Sequence, residues 1–147
     1  MPGDTDQLSD QQILALTAVG ESDKLGEVGM TETVCTVMNR AKANIAWMGG
    51  SNVRNVCLAR NQYDIWWPQT NNEDRQRVLD IAQNNPTYGP YVVALGIAAS
   101  ALAGDLVDIT NGAVSYGDDG ESPDVHPGSE PCLVNGGRVF FGLDAVA

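Results

Sequence analysis

The sequence predicts one mainly α-helical domain of the α+β class, closed by a small β or irregular part at its C-terminus. Three observations carry that expectation. Apolar residues recur at helical spacing through the first two-thirds of the chain. Glycines and acids gather after Gly104, where short strand-like runs replace the helical period. A length of 147 residues suits one domain and buries roughly two-thirds of the unfolded surface, enough to fold without staples.

Residues 1–8 read as a flexible acidic terminus, with the folded domain spanning 9–147. Ser9 and Gln12 fit a capping box, so a helix starts there and carries Ile13, Leu16, Thr17 and Gly20 at helical spacing. On it, Leu14, Thr17 and Glu21 share a face, which aligns a carboxylate with inward-pointing side chains. Gly26 and Gly29 interrupt the pattern, and a second helix is expected from about Met30 to the stop at Gly49-Gly50. Met30, Val34, Val37, Met38, Ala41, Ile45 and Met48 form its apolar stripe, with Glu32, Asn39 and Arg40 pointing away. Residues 51–60 suit a short helix, and "NQYDIWWP" an aromatic loop closed by Pro68. Asn71 or Asn72 would cap a polar helix running to about Gln83. Tyr91 to Ala103 reads as a buried helix, too short and too rich in small residues to span a bilayer. "ITNGAVSYG" and "GGRVFFG" suggest short strands, the first opened by an Asn-Gly turn.

The formal charge is −11, from eight Lys and Arg against nineteen Asp and Glu. No basic stripe remains for phosphates, so nucleic-acid binding is not expected, and adsorption to anionic lipid is disfavoured. No basic n-region followed by an apolar run opens the chain, so no secretory signal is readable. Cys35, Cys57 and Cys132 lack CxxC spacing and read as small buried hydrophobes kept reduced, although one disulfide among them stays open. Phosphate-loop motifs, HExxH and GxSxG are missing, and the lone His126 cannot build a His-rich metal site. The loop "GDDGESPDVHPGSE" has five acids but lacks the ligand alternation of a calcium loop. Neither a metal nor a cofactor is expected.

Carboxylate chemistry remains. Cleaving a glycosidic bond needs one carboxylic acid kept protonated near neutrality, and apolar burial does this by penalising the charged form. Glu21, between an apolar helix and a glycine-flanked turn, has that setting.

The stretch around it is more specific. "GESDKLGEVGMTETVCTVMNRAKA" resembles the N-terminal signature of the SleB-type cell-wall hydrolases, lysozyme-like lytic transglycosylases named for a spore cortex-lytic enzyme. In that family a catalytic glutamate precedes an Asn-Arg pair by eighteen residues, the interval from Glu21 to Asn39, with Arg40 following. The resemblance continues more loosely through "NVRNVCLARNQYDIWW", "GIAASALAGDLVDITNGAVSYG" and "GGRVFFG", covering about residues 10 to 142. Ser22 departs from the family's usual alanine and is similar to the Glu-Ser pair of soluble lytic transglycosylases and goose-type lysozymes. Residues 61–90 and 117–130 match poorly, and the acidity is unlike most wall hydrolases.

The resemblance implies a lysozyme-like fold that cuts the MurNAc–GlcNAc β-1,4 bond of peptidoglycan glycan strands. Glu21 would protonate the leaving oxygen, then take the proton of the MurNAc C6 hydroxyl to close a 1,6-anhydro ring. Ser22 or Asn39 would order Glu21 or the N-acetyl group, Gln62 would be a groove amide, and Tyr63 and Tyr116 would stack on sugars. Asp23, Glu27 and Glu32 read as solvated acids, and Trp47, Trp66 and Trp67 as core or groove wall. A monomeric enzyme is expected: a phage lysin made in the host cytoplasm or carried in the virion, or a bacterial wall hydrolase. A hydrolysing muramidase and a non-catalytic glycan-binding or virion structural module are the alternatives.

Overall fold

The computed structural model describes residues 4–67, 72–118 and 125–146. Its helices are α1 (Asp10–Ser22), α2 (Gly26–Ala43), α3 (Val53–Leu58), α4 (Glu73–Asn84) and α5 (Gly89–Leu102). The strands β1 (Ser115–Asp118), β2 (Leu133–Asn135) and β3 (Arg138–Phe141) follow. They form an antiparallel sheet in the order β1-β3-β2. The chain is therefore mainly helical, with a small C-terminal sheet.

Helix α1 begins at the expected capping box: Ser9 Oγ accepts from the Gln12 amide at 3.1 Å, and Gln12 Oε1 accepts from the Ser9 amide at 2.9 Å. Ile13, Leu14, Ala15, Leu16, Ala18 and Val19 all have 0% exposure, so α1 is apolar on every side and is the central rod of the core. Helices α2, α3, α4 and α5 pack around it. Gly20 is required here, because a Cβ would stand 2.5 Å from Ile65 Cγ2. That gap lets the 3₁₀ turn Asp64–Trp66 press against the end of α1, beside Glu21.

Helix α2 departs from expectation at both ends. It starts at Gly26 rather than near Met30, since glycine is tolerated in a first turn and the neighbouring 3₁₀ turn Asp23–Leu25 feeds straight into it. It ends at Ala43, because Asn44 adopts a left-handed conformation (φ 55°). Ile45 and Met48 therefore leave the stripe and join Val114 and Val146 in a separate small cluster. Trp47 is exposed, not core, whereas Trp66 is fully buried and donates its indole N–H to Thr17 Oγ1 at 2.9 Å.

Residues 4–8, expected to be flexible, form a turn held by the protein. Arg54 donates to the carbonyls of Leu8 and Thr5, Arg75 pairs with Asp4, and Thr5 is buried. Helix α5 buries one face only, leaving Val92 and Val93 exposed. The stretch 109–114 is a loop with left-handed Asn111 and Gly112, so the first strand is shorter than expected. Strand β2, which the sequence did not suggest, pairs with β3 across the left-handed Gly136-Gly137 turn. The three cysteines are free thiols. Pro68, Asn71 and the loop segment 119–124 lie outside the described residues.

Candidate active site

Glu21 occupies the last turn of α1 and is partly buried, opening onto a groove of about 430 Å³. The C-terminal sheet faces it: Tyr116 of β1 donates its hydroxyl to Glu21 Oε1 at 2.7 Å. Burial pushes the Glu21 carboxyl up to about 7 from an ordinary 4.5. The Tyr116 hydrogen bond opposes that rise, the nearby Asp64 charge adds to it, and Arg138 and Arg40 pull it down. Glu21 thus exchanges its proton near neutrality.

A buried polar network holds that contact. Arg138 of β3 pairs with Glu32 of α2 at 3.1 Å, with side chains 5% and 3% exposed. The same guanidinium donates to Gly29 O at 2.9 Å, Ser22 Oγ at 2.9 Å and Thr33 Oγ1 at 3.2 Å. It also lies 4.6 Å from the centre of the Tyr116 ring and 5.1 Å from that of Phe140. Thr33 donates its hydroxyl to Tyr116 Oη at 3.4 Å. The Ser22 and Thr33 hydroxyls also share a 2.6 Å hydrogen bond. The result is a chain of contacting hydroxyls, Ser22, Thr33 and Tyr116, that ends on Glu21. Asn135 of β2 caps the network by donating to Glu32 Oε2 at 2.9 Å.

The Asn39-Arg40 pair makes no hydrogen bond to Glu21, although Arg40 lines the same groove. Asn39 donates to Ala113 O at 2.9 Å, Asp108 Oδ2 at 3.1 Å and Thr110 Oγ1 at 3.4 Å. Asp108 in turn accepts from the Thr110 and Gly112 amides, folding residues 108–112 into a fixed turn. Arg40 donates to Val114 O and to Gln62 Oε1, and lies 5.0 Å over the Tyr63 ring. Together the pair anchors the segment that delivers β1, and so Tyr116, to Glu21. Asn39 therefore builds the loop before the site instead of ordering the carboxylate itself.

Other expected roles also change. Tyr63 is 2% exposed, covered by Arg40 and bonded to Thr36 Oγ1, which leaves it no ring face for a sugar. Tyr116 lines the groove half-buried, its hydroxyl given to Glu21 and its ring packed on Arg138. Ser22 is buried within the network. Gln62 does line the groove, with its carbonyl oxygen used by Arg40 and its amide nitrogen unspent among the described residues. Of the acids expected to be solvated, Glu27 is exposed, but Glu32 is buried and Asp23 is locked by Arg77 and the Tyr88 hydroxyl.

The sequence reading missed Asp64 and Asp118, which line the groove beside Glu21, and the structural partners Arg138 and Thr33. Arg138 did carry a signal. It is the only cation among eight acids between residues 105 and 147, the isolation expected of a buried partner. Among the described residues, no three His, Cys, Asp or Glu side chains cluster to hold a metal ion. No helix among them is long and apolar enough to cross a membrane. Comparisons with protein-family models, curated proteins and solved structures found no match.

Proposed function

We propose that this chain is a peptidoglycan-cleaving glycosidase that works as a lytic transglycosylase, with Glu21 as general acid and then base. The observation that carries the reading is the Glu21 carboxyl, pushed up to about 7 and aimed by Tyr116 into an open polar groove. A carboxyl that exchanges its proton near neutrality suits both halves of such a cycle. In the first half, protonated Glu21 gives its proton to the glycosidic oxygen as the C1–O bond breaks. In the second, the carboxylate takes the proton of the C6 hydroxyl as that oxygen bonds to C1. No water is consumed. The Gln62 amide, the exposed Asn61 and the backbone of Gly117 and Gly136 supply hydrogen-bonding groups for a sugar, and Leu25 an apolar wall. The resemblance of the Glu21-to-Arg40 stretch to the SleB-type signature points to the MurNAc–GlcNAc bond.

A hydrolysing muramidase is the second reading, because Asp64 and Asp118 place further carboxylates on the same groove. Mass spectrometry of products from purified sacculi separates the readings. Wild type is expected to release anhydro-muropeptides, and Glu21→Gln to lose at least ~100-fold in rate, the usual weight of a general acid. Reducing-end products that vanish in Glu21→Gln and in Asp64→Asn or Asp118→Asn would replace the transglycosylase with a hydrolase. Binding without products from either protein would leave a glycan-binding module.

A further inference from the structure

Glu21 and Leu25 also line a second lobe of about 520 Å³, adjoining the first at these two residues and otherwise walled by different side chains. Asp23, Lys24, Asp74, Arg77 and Tyr88 form it. The two lobes differ in how their charges are used. Arg40 and Arg138 of the first lobe are 4% exposed and held by protein hydrogen bonds, with only Arg138 Nε buried without a partner among the described residues. In the second lobe Lys24 and Asp74 are exposed, and neither forms an ion pair among the described residues.

The floor of the second lobe is fixed. Asp23, its side chain 8% exposed, accepts from Arg77 Nη1 at 3.0 Å and from the Tyr88 hydroxyl at 2.9 Å, which ties the end of α1 to α4 and to the start of α5. Both bonds fall on Oδ2. Asp23 Oδ1 therefore remains an unspent acceptor among the described residues, and the Arg77 guanidinium, which also faces the Tyr88 hydroxyl, stays 39% exposed to the lobe. A rigid floor with a spare acceptor, under a lip where Lys24 and Asp74 form no ion pair among the described residues, suits a ligand carrying charges of both signs. A neutral oligosaccharide has no use for them.

We propose that this second lobe takes the peptide arm of peptidoglycan, a short peptide bearing free carboxylates and a free ammonium, while the first lobe takes sugar. The inference rests on the glycan-cleaving reading, and it assigns Lys24 and Arg77 to the arm's carboxylates and Asp74 and Asp23 Oδ1 to its ammonium. Substrate selection then depends on the arm, although the bond cut lies in the sugar chain.

The test uses the full chain carrying Glu21→Gln, titrated calorimetrically with a GlcNAc–MurNAc-tetrapeptide and with the peptide-free disaccharide whose lactyl carboxyl is capped as its methylamide, a neutral ligand. Backbone amide shifts are followed by NMR in parallel. The peptide-bearing ligand is expected to bind roughly tenfold tighter, the weight of two partly exposed ion pairs, with the advantage shrinking at high salt. Its extra shifts should fall at Lys24, Asp74 and Arg77. Adding Lys24→Gln and Asp74→Asn, both surface changes, should bring the two affinities together. Equal affinities in the parent, or shifts confined to Gln62, Ser115 and Gly117 with both ligands, would overturn the peptide-arm assignment and leave the glycan reading standing. Binding of neither ligand would overturn both.

Discussion

The molecule has two interiors built on different rules. Around α1, side chains such as Ile13, Leu14, Leu16 and Val19 are apolar and fully buried, with a few hydrogen bonds such as Trp66–Thr17 set into them. Between α2 and the C-terminal sheet, the buried side chains include Glu32, Arg138, Ser22, Thr33 and Arg40. The first interior holds the fold together, since each fully buried aliphatic residue contributes about 1.5–3 kcal/mol by leaving water. The second fixes a geometry. Charges buried in pairs add little net stability, but they tolerate few arrangements, because each needs its partner in place. Glu21 stands where the two meet. The apolar side raises its proton affinity, and the polar side aims it through Tyr116.

The largest expected effect comes from breaking the polar interior on one side only. Arg138→Met leaves Glu32 buried and uncompensated and should cost about 3–5 kcal/mol in denaturant unfolding. Combining it with Glu32→Leu should recover several kcal/mol of that loss, because the stranded charge is gone. Leu14→Ala in the apolar interior should cost a similar ~3 kcal/mol by leaving a cavity, and no second substitution of the charged kind should restore it. If the double variant is no more stable than Arg138→Met, the contrast between the two interiors fails.

Glu21 links the contrast to pH. Its folded value, raised to about 7 from 4.5, means that the native state holds this proton where the unfolded chain has lost it. Stability from this group is therefore complete below about 4.5 and declines as pH rises toward 7. The full decline is about 3 kcal/mol. Glu21→Gln removes the charge and keeps an acceptor for Tyr116, so it should unfold at higher temperature than wild type, with the gap widest above pH 7 and closing toward pH 4. An equal gap at both pH values would show that burial does not set this carboxyl. The proposed acid role predicts that kcat/KM falls as pH rises through about 7.

Tyr116→Phe should have the smallest effect, about 1 kcal/mol on stability. Its hydroxyl favours the Glu21 carboxylate, so its loss should move the alkaline limb of the pH profile upward. A limb that stays in place would mean that Tyr116 does not govern the proton.

Much of the helical frame was legible because it follows from local rules. The Ser9–Gln12 capping box and the run from Ile13 to Val19, apolar but for Thr17, identify α1 without any tertiary information. Glu21 was legible for a related reason: a carboxylate on the inward face at a helix end leaves few alternatives. The ends of α2 were not, because the left-handed turn at Asn44 and the helical start at Gly26 depend on what packs beside them. Asp64 was missed because nothing local tells that Gly20 admits the turn carrying it. Tyr63 and Tyr116 were expected to stack on sugars, and which of their ring faces and hydroxyls the protein itself engages could not be read from spacing.

The sequence by itself determined the helical class, the small C-terminal sheet and Glu21 as the residue of interest, since periodicity and capping act over a few positions. Only the tertiary structure decided how Glu21 holds its proton. That depends on Tyr116, 95 positions away, and on an arginine in the last strand, brought together by a buried ion pair whose cost of desolvation is met only when helix and sheet close on each other.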